Sequence, residues 1–315
     1  METKTPDTVA DFLVKRAQER AKHPGKLWGL SWGEDMPRLN QVTGGIQDKK
    51  LIVLISRPNT GKSALAAKWA LNVAEAGKRV RIATYEMSAE SYQNRIACFL
   101  SGVPIYRIER GTATPEELLR YTTAQANIAK LDIEYQESAE TFEEMALFFK
   151  RDGGCDLGVI DHIGIIPGFY GQQGYGNAAS VSIKVSKLAH TAHTLLVLGH
   201  QNRESLKGED KRPTPESVAG SDQITRDADI IFGLYRPDQF TQMAEDQHLL
   251  PKPGELIVLK NRDGAQGVVI HMIYEPTRTD WKETPGMNGT ESKKRGGKRD
   301  RRSGGHGWGR GDKRR

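Results

Sequence analysis

A chain of 315 residues with 37% hydrophobic and 27% charged side chains has room for one large α/β domain with extensions, and two cysteines in unrelated contexts exclude a disulfide-stapled or Cys-rich metal scaffold. No run of 18 apolar residues occurs and the first residues lack the apolar core of a secretory signal, so no membrane partner and a cytoplasmic location are expected. The formal net charge of +6 is uneven: residues 287–315 hold eleven Lys/Arg against three Asp/Glu, a net +8, which leaves −2 for everything before them.

In chain order, Thr5, Pro6 and Asp7 read as a helix N-cap, a proline at the first helical position and an acidic first turn. Val9, Phe12, Leu13 and Ala17 then recur at helical spacing until His23, Pro24 and Gly25 stop the run. One amphipathic helix ahead of a domain needs a surface for its stripe, either its own domain or a neighbouring subunit. The apolar run Leu51–Ile55 follows, then Ser56, Arg57, Pro58, Asn59, Thr60, Gly61, Lys62 and Ser63, then a helix-prone stretch from Ala64. A strand, a phosphate-sized loop and a helix N-terminus in that order form a nucleotide-binding P-loop, with Ser56 standing where the motif has its first glycine. Backbone N–H groups of the loop wrap the phosphates, Lys62 reaches the β- and γ-phosphates, and the Ser63 hydroxyl ligates Mg²⁺.

Further apolar runs at Val80–Thr84, Leu157–Asp161, Thr194–Gly199, Asp229–Leu234, Glu255–Lys260 and Gly267–Ile273 read as strands. Helical segments at Ser63–Ala76, Ala89–Leu100, Pro115–Lys130, Phe142–Lys150, Ala178–Ala192 and, shorter, Ser217–Arg226 lie between them. Such alternation predicts an α/β fold: a mostly parallel twisted sheet flanked by helices, ended by an antiparallel hairpin through Asn261, Arg262, Asp263 and Gly264. Ligands of such folds bind at the carboxyl ends of strands. Asp161 ends one strand, where a second carboxylate would hold Mg²⁺ through water, and Glu86 follows another, where it could polarise the attacking water or merely sit beside a helix cap. His200 and Gln201 close a third strand, where a polar side chain could sense the γ-phosphate; Gln201 is the one expected to do so.

The glycine-rich, aromatic segment 168–176, with Gln172 and Gln173 at its centre, has the composition of a flexible loop that could contact DNA through amides and stacking, or of a mobile surface loop. The tail from Lys293 to Arg315 lacks the apolar residues needed to offset chain entropy and is expected to be disordered; its cations suit phosphate attraction and Trp308 suits stacking on a base, unless it serves only solubility.

Six strings in order carry a resemblance: the P-loop itself, Tyr85–Ser88, Val159–Asp161, Gly199–Arg203, Arg226–Arg236 and Leu259–Gly264. From about Trp32 to Tyr274 the chain resembles the RecA-like motor domain of DnaB-type replicative helicases. The resemblance implies residues 1–30 as a linker helix, 31–280 as a RecA-like P-loop ATPase/helicase domain, and 281–315 as a basic tail. It implies a ring, usually hexameric, that encircles single-stranded DNA, uses ATP and Mg²⁺, and moves 5′→3′ on forked DNA with a loader, primase or polymerase as partners. Under it Glu86 is the catalytic glutamate, Asp161 the metal-holding aspartate, Gln201 the link between nucleotide state and DNA loops, and Lys260 with Arg262 the basic pair that enters the next subunit's site. Positions two apart on a strand share a face, so both cations can point at one phosphate group. Gly220 and Ser221 stand where many relatives place a DNA-contacting arginine and are expected to offer backbone N–H groups instead. Only some thirty residues precede the motor, where bacterial members carry a primase-contacting domain, which suggests a phage or plasmid replicon. Two rival readings are a RecA-like recombination or regulatory ATPase and a non-enzymatic nucleotide-bound ring or loader.

Deleting 287–315 is expected to weaken binding to single-stranded DNA at low salt and to flatten the slope of log affinity against log salt by roughly 0.7 per lost phosphate contact. A salt titration that gives the same slope with and without the tail would leave it only a solubilising role.

Overall fold

The computed structural model describes residues 6–169, 175–191, 193–202, 207, 210–218, 222–240 and 249–287. Every apolar run expected to be extended is a strand: β1 (Leu51–Ser56), β2 (Val80–Thr84), β4 (Leu157–Asp161), β5 (Thr194–His200), β6 (Ile230–Tyr235), β7 (Lys252–Asn261) and β8 (Val268–Glu275). Two short strands, β3 (Ile133–Gln136) and β9 (Asp280–Glu283), complete a nine-stranded sheet in the order β3-β2-β4-β5-β1-β6-β7-β8-β9. Pairing is parallel from β3 to β6 and antiparallel from β6 to β9. The closing hairpin is therefore part of a larger antiparallel wing, in which β7 also pairs with β6 and β9 with β8.

The helices are α1 (Pro6–Lys22), α2 (Pro37–Thr43), α3 (Lys62–Glu75), α4 (Ala89–Ser101), α5 (Ile105–Glu109), α6 (Pro115–Ile128), α7 (Phe142–Lys150), α8 (Tyr175–Thr191) and α9 (Asp222–Asp227). The continuous helix expected over Ser217–Arg226 is broken. A single 3-10 turn covers Pro215–Ser217, closed by reciprocal hydrogen bonding between Thr214 and Ser217; Val218 is then extended and bridges Gln201, so the backbone leaves helical geometry before α9 begins.

Parallel strands in such a sheet are covered on both faces, and β1 is buried at all six positions. Ile52 and Leu54 join the core built with Leu65 and Trp69 of α3, whereas Leu51, Val53 and Ile55 join the opposite core with Val185 and Leu188 of α8. Each such fully buried aliphatic side chain contributes about 1.5–3 kcal/mol. The loop leaving β1 therefore springs from a firmly anchored strand. On α1, by contrast, Val9, Leu13 and Val14 are exposed. Among the described residues no helix is long and apolar enough to cross a membrane.

The antiparallel wing is clasped to the start of the domain. Glu283 of β9 accepts from the backbone N–H groups of Arg38 (3.0 Å) and Leu39 (2.8 Å), capping α2 from the other end of the chain. Trp32, Trp69 and Phe232 form an aromatic cluster with ring centroids 4.5–5.7 Å apart. Beside it Lys68 of α3, itself buried, donates to Asp280 at 2.9 Å, to Asp35 and to the Trp281 carbonyl. Burial raises the pKa of Asp280, with Lys68 opposing. Lys68→Ala strands a buried carboxylate, and breaking a buried pair in this way costs about 3–5 kcal/mol; urea unfolding of the variant is expected to show a loss of that size.

Candidate active site

The carboxyl ends of β1, β2, β4 and β5 lie side by side, with Ser56 in register with His200 and Thr84 with Asp161. Every proposed phosphate-handling residue of the subunit leaves this edge. The P-loop runs from Ser56 through Arg57, Pro58, Asn59, Thr60 and Gly61 into α3, which starts at Lys62. Asn59 (φ 61°) and Gly61 (φ 101°) adopt the left-handed backbone region that wraps the loop around an anion. Protein donors take up the loop's carbonyls: Gln239 Nε2 donates to Pro58 O (3.1 Å), Arg236 Nη1 to Thr60 O (3.3 Å) and Trp281 Nε1 to Gly61 O (3.1 Å). The Thr60 hydroxyl sits 2.9 Å from Arg57 O and 2.8 Å from Gln239 Oε1, and the Arg57 guanidinium packs over Phe240. With its carbonyls turned onto the protein, the loop keeps its peptide N–H groups for phosphate.

Lys62 is 6% exposed; burial lowers its pKa, and the negative charges of Asp161 and Glu86 oppose the shift. Asp161, 1% exposed, has neither carboxylate oxygen in a good hydrogen bond among the described residues. Burial raises its pKa, while the neighbouring Ser63 hydroxyl and Lys62 hold it down. A buried, unsatisfied carboxylate beside a serine hydroxyl at a helix start is an oxygen-only donor set that suits Mg²⁺, which takes a few protein oxygens and keeps waters and phosphate oxygens. Ser63 and Asp161 are the residues that would hold it.

Glu86 lies two residues beyond β2, its side chain 53% exposed, just before Ser88, whose hydroxyl caps α4 by accepting from Ser91 N (3.1 Å). A carboxylate half exposed at this edge and in the field of Lys62 can take a proton from water at a bound γ-phosphate. Its nearest polar neighbour is His162, with Nε2 3.6 Å from Glu86 Oε2.

Of the two residues that close β5, the sequence favours Gln201, and the structure turns the two side chains to opposite faces, with the Gln201 backbone N–H on Ser56 O (2.8 Å). Gln201 Nε2 donates to Lys211 O (3.1 Å), and its backbone bridges Val218. Strand alternation sends His200 the other way, against the His162 ring (4.4 Å between centroids, edge on) and within the field of Lys62. Burial, Lys62 and His162 push its pKa down to about 4.

Lys260 and Arg262 are not in this site. Lys260 is in register with Ile231 and Asn261 with Ile230, and Ile230 pairs with Ile52 near the start of β1. At about 3.3 Å per strand residue, the pair stands roughly 15 Å or more from the P-loop of its own subunit, at the opposite end of the sheet. There Lys260 Nζ donates to the Thr225 and Arg226 carbonyls (both 2.8 Å), and Arg262 reaches Arg226 O (2.9 Å) and Asp229 Oδ1 (3.3 Å). The buried Asp229 also accepts from Leu51 N (2.9 Å) and contacts His190 Nε2 (2.8 Å). Burial alone would raise its pKa, but these partners hold it below the ordinary value. Gln172, Gln173, Gly220 and Ser221 lie outside the described residues, as does the tail beyond 287.

Several residues of the site had no mark in the sequence. Trp281, Gln239 and Arg236 act on the loop from far along the chain, with no local motif. His162 was visible beside Asp161, but its approach to Glu86 depends on the pairing of β2 with β4.

A P-loop on the central strand of this sheet, with a buried carboxylate on β4 and an antiparallel wing, defines a RecA-like P-loop ATPase domain. The model of the DnaB-like helicase C terminal domain family matches residues 32–283, and the chain belongs to that family. The chain is 28% identical over 273 residues to replicative DNA helicase DnaB of Geobacillus stearothermophilus, and 27% identical over 273 residues to replicative DNA helicase DnaC of Bacillus subtilis; each match covers 83% of this chain. The chain spans only 59% of the length of either relative. Two solved folds agree at 21% identity. One is an isolated ATPase domain, with TM-score 0.78 over 90% of this chain and 100% of that one. The other is a DnaB-like replicative helicase studied for its interactions with primase, with TM-score 0.76 over 89% of this chain and 67% of that one.

Gly61 combines a φ of 101° with a Cβ position 2.8 Å from Trp281 Nε1, so both conformation and space require glycine. A strained left-handed residue costs about 1–3 kcal/mol. Gly61→Ala is expected to displace the loop and weaken binding of a fluorescent nucleoside triphosphate by about tenfold or more.

Proposed function

We propose that this chain is the motor of an ATP-driven replicative DNA helicase, cytoplasmic, assembled as a ring, usually of six copies, around single-stranded DNA and moving 5′→3′ at a fork. The observation that carries the reading is the division of the chemistry between opposite ends of one sheet: phosphate handling at the carboxyl edge of β1 and a paired Lys260 and Arg262 at the other end of β6 and β7. One subunit cannot bring both to one phosphate, whereas head-to-tail neighbours can, and such heterologous contacts close into a ring. Family membership and the two replicative relatives support the same reading.

In the chemical step the P-loop N–H groups and Lys62 hold the β- and γ-phosphates of ATP. Mg²⁺, when held by Ser63 and Asp161, neutralises phosphate oxygens. Glu86 takes a proton from the attacking water as its oxygen bonds to the γ-phosphorus. The bond from that phosphorus to the β–γ bridging oxygen breaks, leaving ADP and phosphate. Arg262 of the neighbour, with Lys260 beside it, meets the charge that spreads over the transferring phosphoryl group. His200, rather than Gln201, faces that group and is placed to register its loss. DNA contact through the segments holding Gln172, Gln173, Gly220 and Ser221, and partnership with a loader, primase or polymerase, belong to the same proposal.

An arginine supplied across an interface is worth about 10³–10⁵ in rate. Arg262→Ala and Lys62→Ala proteins are each expected to be inactive as ATPases, and mixed rings to regain part of the activity, because a P-loop from the first meets an arginine from the second. Inactivity at every mixing ratio, with co-assembly verified by mass photometry, would place Arg262 outside the neighbour's site.

A further inference from the structure

His162 is not needed by the mechanism above, yet it is held more firmly than the glutamate beside it. The backbone N–H of Gly164 donates to its Nδ1 at 3.0 Å, its side chain is only 15% exposed, and the His200 ring stands edge-on against it. A backbone N–H can only donate, so Nδ1 must be the accepting nitrogen and the proton of the neutral ring must sit on Nε2. That Nε2 lies 3.6 Å from Glu86 Oε2. Catalytic hydrogen bonds are often long before ligand binds and tighten in the complex. A half-exposed glutamate otherwise spreads over several rotamers, most of them useless to a water at the γ-phosphate.

Glu86, His162 and His200 also present ligand atoms within 4.8 Å of one another. The Gly164 contact argues against a transition metal there, since a metal on Nε2 of His162 would move the proton to Nδ1, facing another N–H.

We propose that His162 is the positioning residue of Glu86: its Nε2–H, fixed by the Gly164 backbone, holds Oε2 and leaves Oε1 aimed at the attacking water. The inference rests on Glu86 being the general base. Glutamine at 162 can carry an amide N–H to the place of Nε2, whereas asparagine ends near Nδ1 and can satisfy only Gly164. With the full chain and ATP, His162→Gln is expected to keep kcat within about threefold. His162→Asn and His162→Ala are expected to lose about 10- to 100-fold in kcat, a part of the usual general-base contribution, with KM and nucleotide affinity unchanged. In a Glu86→Gln background the 162 variants are expected to have no further effect. Equal losses for Gln and Asn, or a change confined to KM, overturn the proposal, as does the same fractional loss without Glu86. Near-normal turnover in Glu86→Gln alone would instead remove the general-base reading, and the proposal with it. Should the Asn and Ala proteins fail to fold, the wild-type tautomer decides: ¹⁵N shifts of a His-labelled chain are expected to show His162 protonated on Nε2, and protonation on Nδ1 would overturn the assignment.

Discussion

Two opposite charges buried at one edge of the sheet, Lys62 at the start of α3 and Asp161 at the end of β4, set the terms for the rest of this structure. Removing an ion from water costs several kcal/mol even after relaxation, and here neither Asp161 oxygen recovers that cost through a well-formed hydrogen bond among the described residues. The fold must therefore keep a partly unsatisfied site from collapsing or filling with its own side chains. It does so with an apolar strand buried on both faces below the site and a loop whose carbonyls are tied to Arg236, Gln239 and Trp281. Asp161 offers oxygens to a cation and Lys62 offers charge to an anion, a pairing that suits a magnesium-bound polyphosphate. The site is stable because of its surroundings and specific because of what they leave unmet.

The parts of this arrangement that were legible in the sequence are those in which neighbours in the chain are neighbours in space. Ser56 to Ala64 declares itself because strand, loop and helix follow one another, and Asp161 because it ends an apolar run. The choice between His200 and Gln201 could not be made in that way. It turns on β5 continuing to His200, in register with Ser56, and an apolar run that ends at Gly199 carries no phase for the next two residues. β3 was invisible because its four half-buried residues, Ile133 to Gln136, do not alternate cleanly, and β9 because Asp280 and Glu283 are buried charges in a strand of four. Both carry polar side chains into positions that a periodicity reading assigns to loops. The clasp of Glu283 on α2 and the contact of Trp281 with Gly61 span more than two hundred residues, and no local pattern encodes them.

The antiparallel wing also changes the meaning of the N-terminal segment. Trp32 packs on Trp69 of the P-loop helix, Asp35 meets Lys68 of the same helix, and Glu283 caps α2. The chain leading out of α1 is thus joined to the element that cradles phosphate, so a pull on α1 reaches the P-loop helix through packed side chains rather than through a slack linker.

The strand β6 pairs with β1 on one side and with β7 on the other. One of those neighbours ends in the P-loop and the other in Lys260 and Arg262, at opposite ends of a single hydrogen-bonded plate. The two ends are joined through the hydrogen-bonded ladder of β6, with no loop between them. Under the proposed head-to-tail array, a displacement at one subunit's P-loop would be felt at the cations it presents to one neighbour and to no other.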